Sequence, residues 1–123
     1  MKAVISTSQG IENVKVLDVP NPQKPVGDEV HVAIKAVGIN QRDIINFENY
    51  SRWNRPNPIP GCDGAGEVIA VGDKVTKWKV GDKVITSNYA MWIDGPLTPE
   101  KEAKNLDLCF TCDGCMCEIF SMH

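Results

Sequence analysis

The 123-residue chain, 42% hydrophobic with a formal net charge of −3, is long enough for one domain with a modest core and too short for two. The slightly acidic balance carries no basic footprint for nucleic acid, and no apolar stretch approaches the ~18 residues that a bilayer span needs. Residues 1–13 lack a signal-peptide core, and five cysteines, an odd number crowded toward the C-terminus, do not read as a secreted disulfide framework, so a cytoplasmic setting is expected.

Residues 2–7 read as a short strand, with residues 11–19 as its partner across Gln9-Gly10. Pro20, Pro22 and Pro25 then break the pattern. Val30, Val32, Ile34 and Ala36 alternate with Glu29, His31, Ala33 and Lys35, which predicts a strand with one buried face and a solvent-facing His31. Residues 41–49, carrying Ile44, Ile45 and Phe47, predict a short helix behind Asn40 as a cap. Pro56, Pro58 and Pro60 predict an extended, hydrogen-bond-poor loop, because each lacks an amide donor and restricts its predecessor. Gly61, Gly64 and Gly66 lead into residues 67–71, an apolar, β-branched run that reads as a strand buried on both faces. Val71-Gly72-Asp73-Lys74-Val75 and Val80-Gly81-Asp82-Lys83-Val84 each set Gly-Asp between β-formers, predicting tight reversals between strands. Residues 98–104 begin with a threonine cap, proline at the first helical position and glutamate in the first turn, so a short helix is expected. Asp113-Gly114 reads as a turn and residues 118–120 as a closing strand. The sum is a mainly β domain that closes on itself as a partly open barrel with one or two short helices.

A glycine triplet raises the question of a nucleotide. The dinucleotide fingerprint runs Gly-x-Gly-x-x-Gly after a strand and opens a helix; here the order is Gly-x-x-Gly-x-Gly, after prolines and opening a strand. Such glycines mark a bend where two strands approach closely. Cys109, Cys112, Cys115 and Cys117 have spacing able to wrap a tetrahedral zinc or supply an iron–sulfur centre, with His123 as a spare ligand. Without a second loop of ligands the set is incomplete, and structural thiols or redox pairing are the alternatives. Cys62 reads as a small buried side chain in a tight loop. Read without further context, Asn40 caps a helix, Asp43 faces solvent or pairs with Arg42 or Lys35, and Tyr50 is a loop aromatic.

Met1-Lys2-Ala3-Val4, Val37-Gly38-Ile39-Asn40-Gln41-Arg42-Asp43, Ile59-Pro60-Gly61-Cys62-Asp63-Gly64-Ala65-Gly66-Glu67-Val68 and Lys79-Val80-Gly81-Asp82-Lys83-Val84 together resemble, in the same order, the N-terminal catalytic domain of medium-chain dehydrogenases/reductases. The likeness is greatest to the zinc-free, quinone-reductase-like and zinc-type alcohol dehydrogenase-like branch, where Trp92-Ile93-Asp94-Gly95-Pro96 also has a counterpart. The resemblance implies a GroES-like fold and an incomplete catalytic domain over residues 1–123, truncated before the family's Rossmann domain. It implies an NADPH-dependent, zinc-independent oxidoreductase that transfers hydride to or from a small quinone, enone, carbonyl or alcohol, weak or inactive alone. Asn40, Asp43 and Tyr50 are then the implied catalytic residues, and Asn40 and Asp43 the implied cofactor contacts. Asn40 would hydrogen-bond near the substrate or the nicotinamide ribose, Asp43 would hold a basic group or relay a proton, and Tyr50 would donate to a carbonyl oxygen. Zinc-dependent members carry a cysteine where Asn40 stands and Gly-His-Glu where Gly61-Cys62-Asp63 stands, so a catalytic zinc is not expected. The first three intervals of the cysteine cluster resemble the structural-zinc lobe of those members, but that lobe begins nearer the Gly-Asp-x-Val turn and its fourth cysteine comes later. Uncovered edges are expected to favour a homo-oligomer or self-association, with Trp92 and residues 109–120 as the sticky regions. The rival reading is a metal-binding or thiol-switch module built on the cysteine cluster; a co-chaperonin-like assembly module is a third.

Overall fold

The computed structural model describes residues 1–53, 55–89, 92, 94–104 and 107–122. Ile93 of the Trp92–Pro96 motif and His123, the spare ligand, lie outside the described residues. The chain opens with β1 (Lys2–Ser6), which pairs antiparallel with β2 (Val14–Asp18). The partner strand is shorter than the sequence suggests: Ile11–Asn13 form a 3-10 turn behind Gly10, which absorbs the first part of the expected strand. The nine-residue strand β3 (Val30–Gly38) leads through the helix α1 (Gln41–Glu48) to the nine-residue β4 (Asp63–Val71). The short β5 (Lys83–Ile85), the helix α2 (Pro99–Lys104) and β6 (Ile119–Met122) complete the order.

Two sheets result: β1-β2, and a four-stranded sheet ordered β5-β4-β3-β6, antiparallel throughout. They do not merge into a closed cylinder. A single bridge, Ala3 to Cys117, and the bond from Val4 N–H to the Met116 carbonyl at 2.8 Å stitch the hairpin to the chain entering β6. The fold is mainly β with two helices, as the strand patterns and the threonine-proline helix start predict; Lys101 N–H reaches the Thr98 hydroxyl at 3.3 Å.

The core sits where β3 and β4 meet the returning tail. Leu108, with no exposed surface, packs in one cluster with Cys62, Cys109, Cys115 and Phe120, with Ile34 and Val37 against it, and Val68 on β4 is likewise fully buried. Burying a Val, Leu or Phe side chain contributes about 1.5–3 kcal/mol each, so this cluster supplies much of what holds the domain.

Three expectations are corrected here. His31 does not face solvent. A register shift between His31 and Val32 breaks the period-2 alternation, so both are buried, and β6 pairs Ser121 against His31. Its Nε2 finds no hydrogen-bond partner among the described residues. The strand β4 is not buried on both faces: Ile69 remains 41% exposed while Val68 is fully covered, because only one face meets the core. The proline loop is not poor in hydrogen bonds, since its carbonyls accept where its amides are missing. Ser6 N–H donates to the Pro58 carbonyl, Gly114 N–H to Ile59, and Met116 N–H to Pro60, at 3.1, 2.7 and 3.0 Å.

The glycine-rich bend serves close packing, as expected. A side chain at Gly66 would stand 2.3 Å from the Ala33 carbonyl oxygen, and one at Gly64 would stand 2.7 Å from the Cys115 sulfur. No open cradle is left there for a phosphate.

Candidate functional site

The junction of β3 with α1 builds the site. Asn40, extended at φ −114° and ψ 159°, caps the helix, and Asp43 at the third helical position folds back on it. Asp43 Oδ2 accepts the Asn40 N–H at 2.9 Å, the return half of a capping box. Its other oxygen, Oδ1, accepts the Gly61 N–H at 3.2 Å. One carboxylate with no exposed surface thus ties α1 to the bend that opens β4. This corrects the bare-sequence reading of Asp43 as solvent-facing or paired with Arg42 or Lys35. Arg42 instead meets Asp107 at 2.6 Å. Burial works against its charge, but the hydrogen bond to Asp107 and the attraction of that carboxylate hold the guanidinium above its ordinary pKa.

Asn40 is half-buried, and its Nδ2 donates to Asp63 Oδ2 at 2.6 Å. Asn40 and Asp43 therefore share one capping turn, Asp43 buried beneath it and Asn40 partly exposed and braced by Asp63. Tyr50 belongs to the next turn of the chain. Its hydroxyl accepts the Asn57 N–H at 3.0 Å, and its ring meets Trp53 edge-on at 5.7 Å. An open groove of about 490 Å³ runs along the sheet past Val32, Val68, Val84, Trp78 and Trp92, and none of Asn40, Asp43 or Tyr50 lines it.

Beneath Gly61 lies a constellation that sequence reasoning missed. The Asp43 carboxylate and the sulfurs of Cys62 and Cys109, all buried, lie within 4.8 Å of one another. The two sulfurs are 2.8 Å apart, and Cys62 also reaches the Leu108 carbonyl at 3.6 Å. Cys109 holds a left-handed φ of 55°, which costs a non-glycine residue about 1–2 kcal/mol. Its carbonyl is fixed by Trp53 Nε1 at 2.6 Å and by the buried Asn46 Nδ2 at 3.3 Å. The hydrogen bond between the sulfurs pushes the Cys62 thiol up, with burial adding to it, and holds Cys109 below its ordinary value. No spacing rule joins residues 47 apart in sequence, so only the fold reveals them.

The four cysteines of the tail do not converge. Cys112 turns its sulfur to the Asp107 carbonyl at 3.7 Å and Cys117 to Ile119 at 3.3 Å, while Cys115 packs under the glycine bend. Burial pushes the Cys115 thiol to about 11 and Cys117 to about 12. Among the described residues, only Cys109 of that cluster joins a group with metal-like chemistry.

That group does not fit a catalytic zinc. Zinc–sulfur bonds of about 2.3 Å at a tetrahedral angle set two sulfurs about 3.8 Å apart, whereas these stand at 2.8 Å. Both Asp43 oxygens already accept backbone amides, and the amide of Asn40 offers no thiolate. Asn40, half-buried at the start of α1 and oriented by Asp63, is a polar group at this turn, and the glycine bend beside it is filled by neighbouring atoms.

Residues 26–123 match the alcohol dehydrogenase GroES-like domain. A zinc-type alcohol dehydrogenase-like protein of Schizosaccharomyces pombe is 35% identical over 107 residues, covering 86% of this chain and 30% of that protein. A trans-enoyl reductase of a Penicillium species is 36% identical over 95 residues, covering 72% of this chain and 24% of its own length. Among solved structures, an NAD-dependent alcohol dehydrogenase superposes with a TM-score of 0.82 at 26% identity, over 99% of this chain and 37% of that one. A quinone oxidoreductase of Pseudomonas syringae gives 0.71 at 27% identity, over 99% and 31%. The chain spans about a quarter to two fifths of the length of these relatives.

Proposed function

Because the chain belongs to the alcohol dehydrogenase GroES-like domain family, we propose that it is part of the catalytic domain of an NADPH-dependent, zinc-independent oxidoreductase. Its substrate is a small quinone- or enone-type compound, reduced by hydride transfer. The observation that supports this reading is the Asn40–Asp63 hydrogen bond at 2.6 Å, which joins the residue standing in the metal-cysteine position of zinc-dependent members to the one standing in the glutamate position of their Gly-His-Glu. The family resemblance to a trans-enoyl reductase and a quinone oxidoreductase supports a conjugated substrate.

The reduced nicotinamide supplies the hydride when bound. Asn40 orients the substrate or the nicotinamide ribose from the surface of the capping turn, its amide held in place by Asp63. Asp43, fully buried, is a positioning residue: it fixes Asn40 and Gly61 through their amides. Tyr50 is the proposed donor to a substrate oxygen. Its hydroxyl accepts from Asn57 and so keeps its own proton to give. The dinucleotide's phosphates, as proposed, are held by the part of the longer relatives that this chain does not span. Self-association is favoured at the β5 edge, where Ile85 is 82% exposed, and near Trp92; the tail of residues 109–120, expected to be sticky, is instead packed in, with Cys109, Cys115 and Phe120 buried. No described helix is long and apolar enough to cross a membrane.

Calorimetric titration with NADPH tests the reading: only nicotinamide-end contacts are available, so binding should be no tighter than about 1 mM. Chemical-shift mapping with reduced nicotinamide mononucleotide should move the resonances of Asn40 and Asp63, and Asn40→Ala should abolish those shifts. Micromolar NADPH affinity, or shifts confined to residues 109–117, would overturn it.

A further inference from the structure

The buried sulfur pair does something that hydride chemistry does not use. At 2.8 Å the sulfurs of Cys62 and Cys109 stand well inside ordinary non-bonded contact of about 3.5–4.0 Å and within about 1 Å of a disulfide bond length. Each backbone has anchors outside the pair. The Cys62 carbonyl accepts the Thr86 hydroxyl at 2.6 Å, and the Cys109 carbonyl accepts Trp53 and Asn46. The approach is set by the mouth of β4 and the turn after Leu108, which are also joined directly by the Cys62 Sγ contact to the Leu108 carbonyl at 3.6 Å.

We propose that Cys62 and Cys109 are an oxidative modification site: a reversible intramolecular disulfide formed by hydrogen peroxide. The Cys109 thiolate attacks one peroxide oxygen, so an S–O bond forms and the O–O bond breaks, leaving hydroxide that takes up a proton as water. The Cys62 sulfur then attacks the sulfenic sulfur of Cys109. The S–S bond forms, the S–O bond breaks, and the hydroxyl leaves as a second water with the Cys62 proton. Two thiols and one peroxide become one disulfide and two waters. Cys109 is suited to the first step, because the donor from Cys62 favours its thiolate.

Access and selectivity both have a structural basis. A pocket of about 400 Å³ lined by Arg42, Asn46, Asp107 and Phe110 lies against the same turn, and Asn46 Nδ2 is 3.8 Å from the Cys109 sulfur. Neither sulfur lines that pocket, so a peroxide in it reaches Cys109 when the Asn46 side chain moves aside. Cys112 and Cys117 are turned onto carbonyls of their own loop, and burial keeps Cys115 and Cys117 protonated. This inference stands whether or not the hydride reading does, because it concerns sulfurs that reading leaves unused.

Thiol titration of the reduced full chain before and after peroxide tests it. The count should fall from five to about three, return with dithiothreitol, and give one cross-linked peptide joining residues 62 and 109. Cys62→Ser and Cys109→Ser should each abolish the cross-link, and Cys112→Ser should keep it, which separates a lost partner from a lost fold. Five surviving thiols at peroxide levels that consume free glutathione would overturn the proposal. So would a cross-link mapped to Cys112, Cys115 or Cys117, or a stoichiometric zinc that shields both sulfurs.

Discussion

The same five residues, Val-Gly-Asp-Lys-Val, occur at positions 71–75 and 80–84, and the fold uses them in different ways. In the first copy Gly72 begins a turn closed by Val75 N–H on the Gly72 carbonyl, and it presses against the β2–β3 connection. A side chain there would stand 2.2 Å from the Gly27 carbonyl oxygen and 2.7 Å from the Val26 carbonyl carbon. In the second copy Gly81 is the third residue of a turn from Lys79 to Asp82, at φ +95°, with open space where a side chain would go. The first glycine is required for space and the second for backbone conformation. The motif specifies that a turn occurs. It does not specify the register of the turn, and neither copy alone reverses the chain between two strands, as had been expected; together they bound the loop of residues 72–82 between β4 and β5.

Substitutions separate the two roles. Gly72→Ala should cost about 3 kcal/mol, since the clash is with backbone that cannot rotate away, and a urea unfolding midpoint would register it. A cost under about 1 kcal/mol would mean that the two turns are alike after all. Asp43→Asn offers a scale for a third bend, at Gly61, held by a buried acceptor and not by space or conformation. One amide would lose its partner, for about 2 kcal/mol, with the β4 amides showing faster hydrogen exchange. Gly81→Ala should cost about 1 kcal/mol, and Gly81→Asn less, because asparagine tolerates positive φ; at Gly72 asparagine should be no better than alanine. The smallest effect falls on the aspartates. Asp73 Oδ1 accepts the Gly27 N–H at 2.8 Å across the fold, and Asp82 Oδ2 accepts the Lys79 N–H at 3.0 Å within its own turn. Alanine at either should cost about 0.5–1 kcal/mol, with Asp73 the more costly, because its bond joins two segments; a thermal melt of each variant would rank them.

The sequence made legible what is local. The Thr98-Pro99 helix start, the Asn40 cap, the closing strand at Phe120 and the packing role of Gly64 and Gly66 follow from propensity and steric rules acting over a few residues. What it hid depends on register or on distant pairing. His31 looks solvent-facing until the bulge beside Val32 turns it inward. The proline loop looks starved of hydrogen bonds until the tail donates to its carbonyls. Of the candidate site, the Asn40–Asp43 turn was readable as a cap, but the engagement of Asp43 with Gly61 was not. Nothing in the spacing of the tail cysteines singles out Cys109 or pairs it with Cys62.

The stitching of the hairpin to the tail bears on how the chain is made. Lys2 N–H bonds to the Glu118 carboxylate across 116 residues, and Glu118 N–H returns to the Lys2 carbonyl at 3.0 Å. At roughly 5–20 residues per second, a ribosome delivers Glu118 roughly 6–23 s after Lys2. For that interval β1 and β2, a two-stranded ribbon marginal by itself in water, lack their bonds to the tail and reach the rest of the chain only through contacts such as Ser6 N–H on the Pro58 carbonyl. A nascent chain stalled before residue 116 should therefore be held by a chaperone at its N-terminal strand, and release should follow synthesis of the tail.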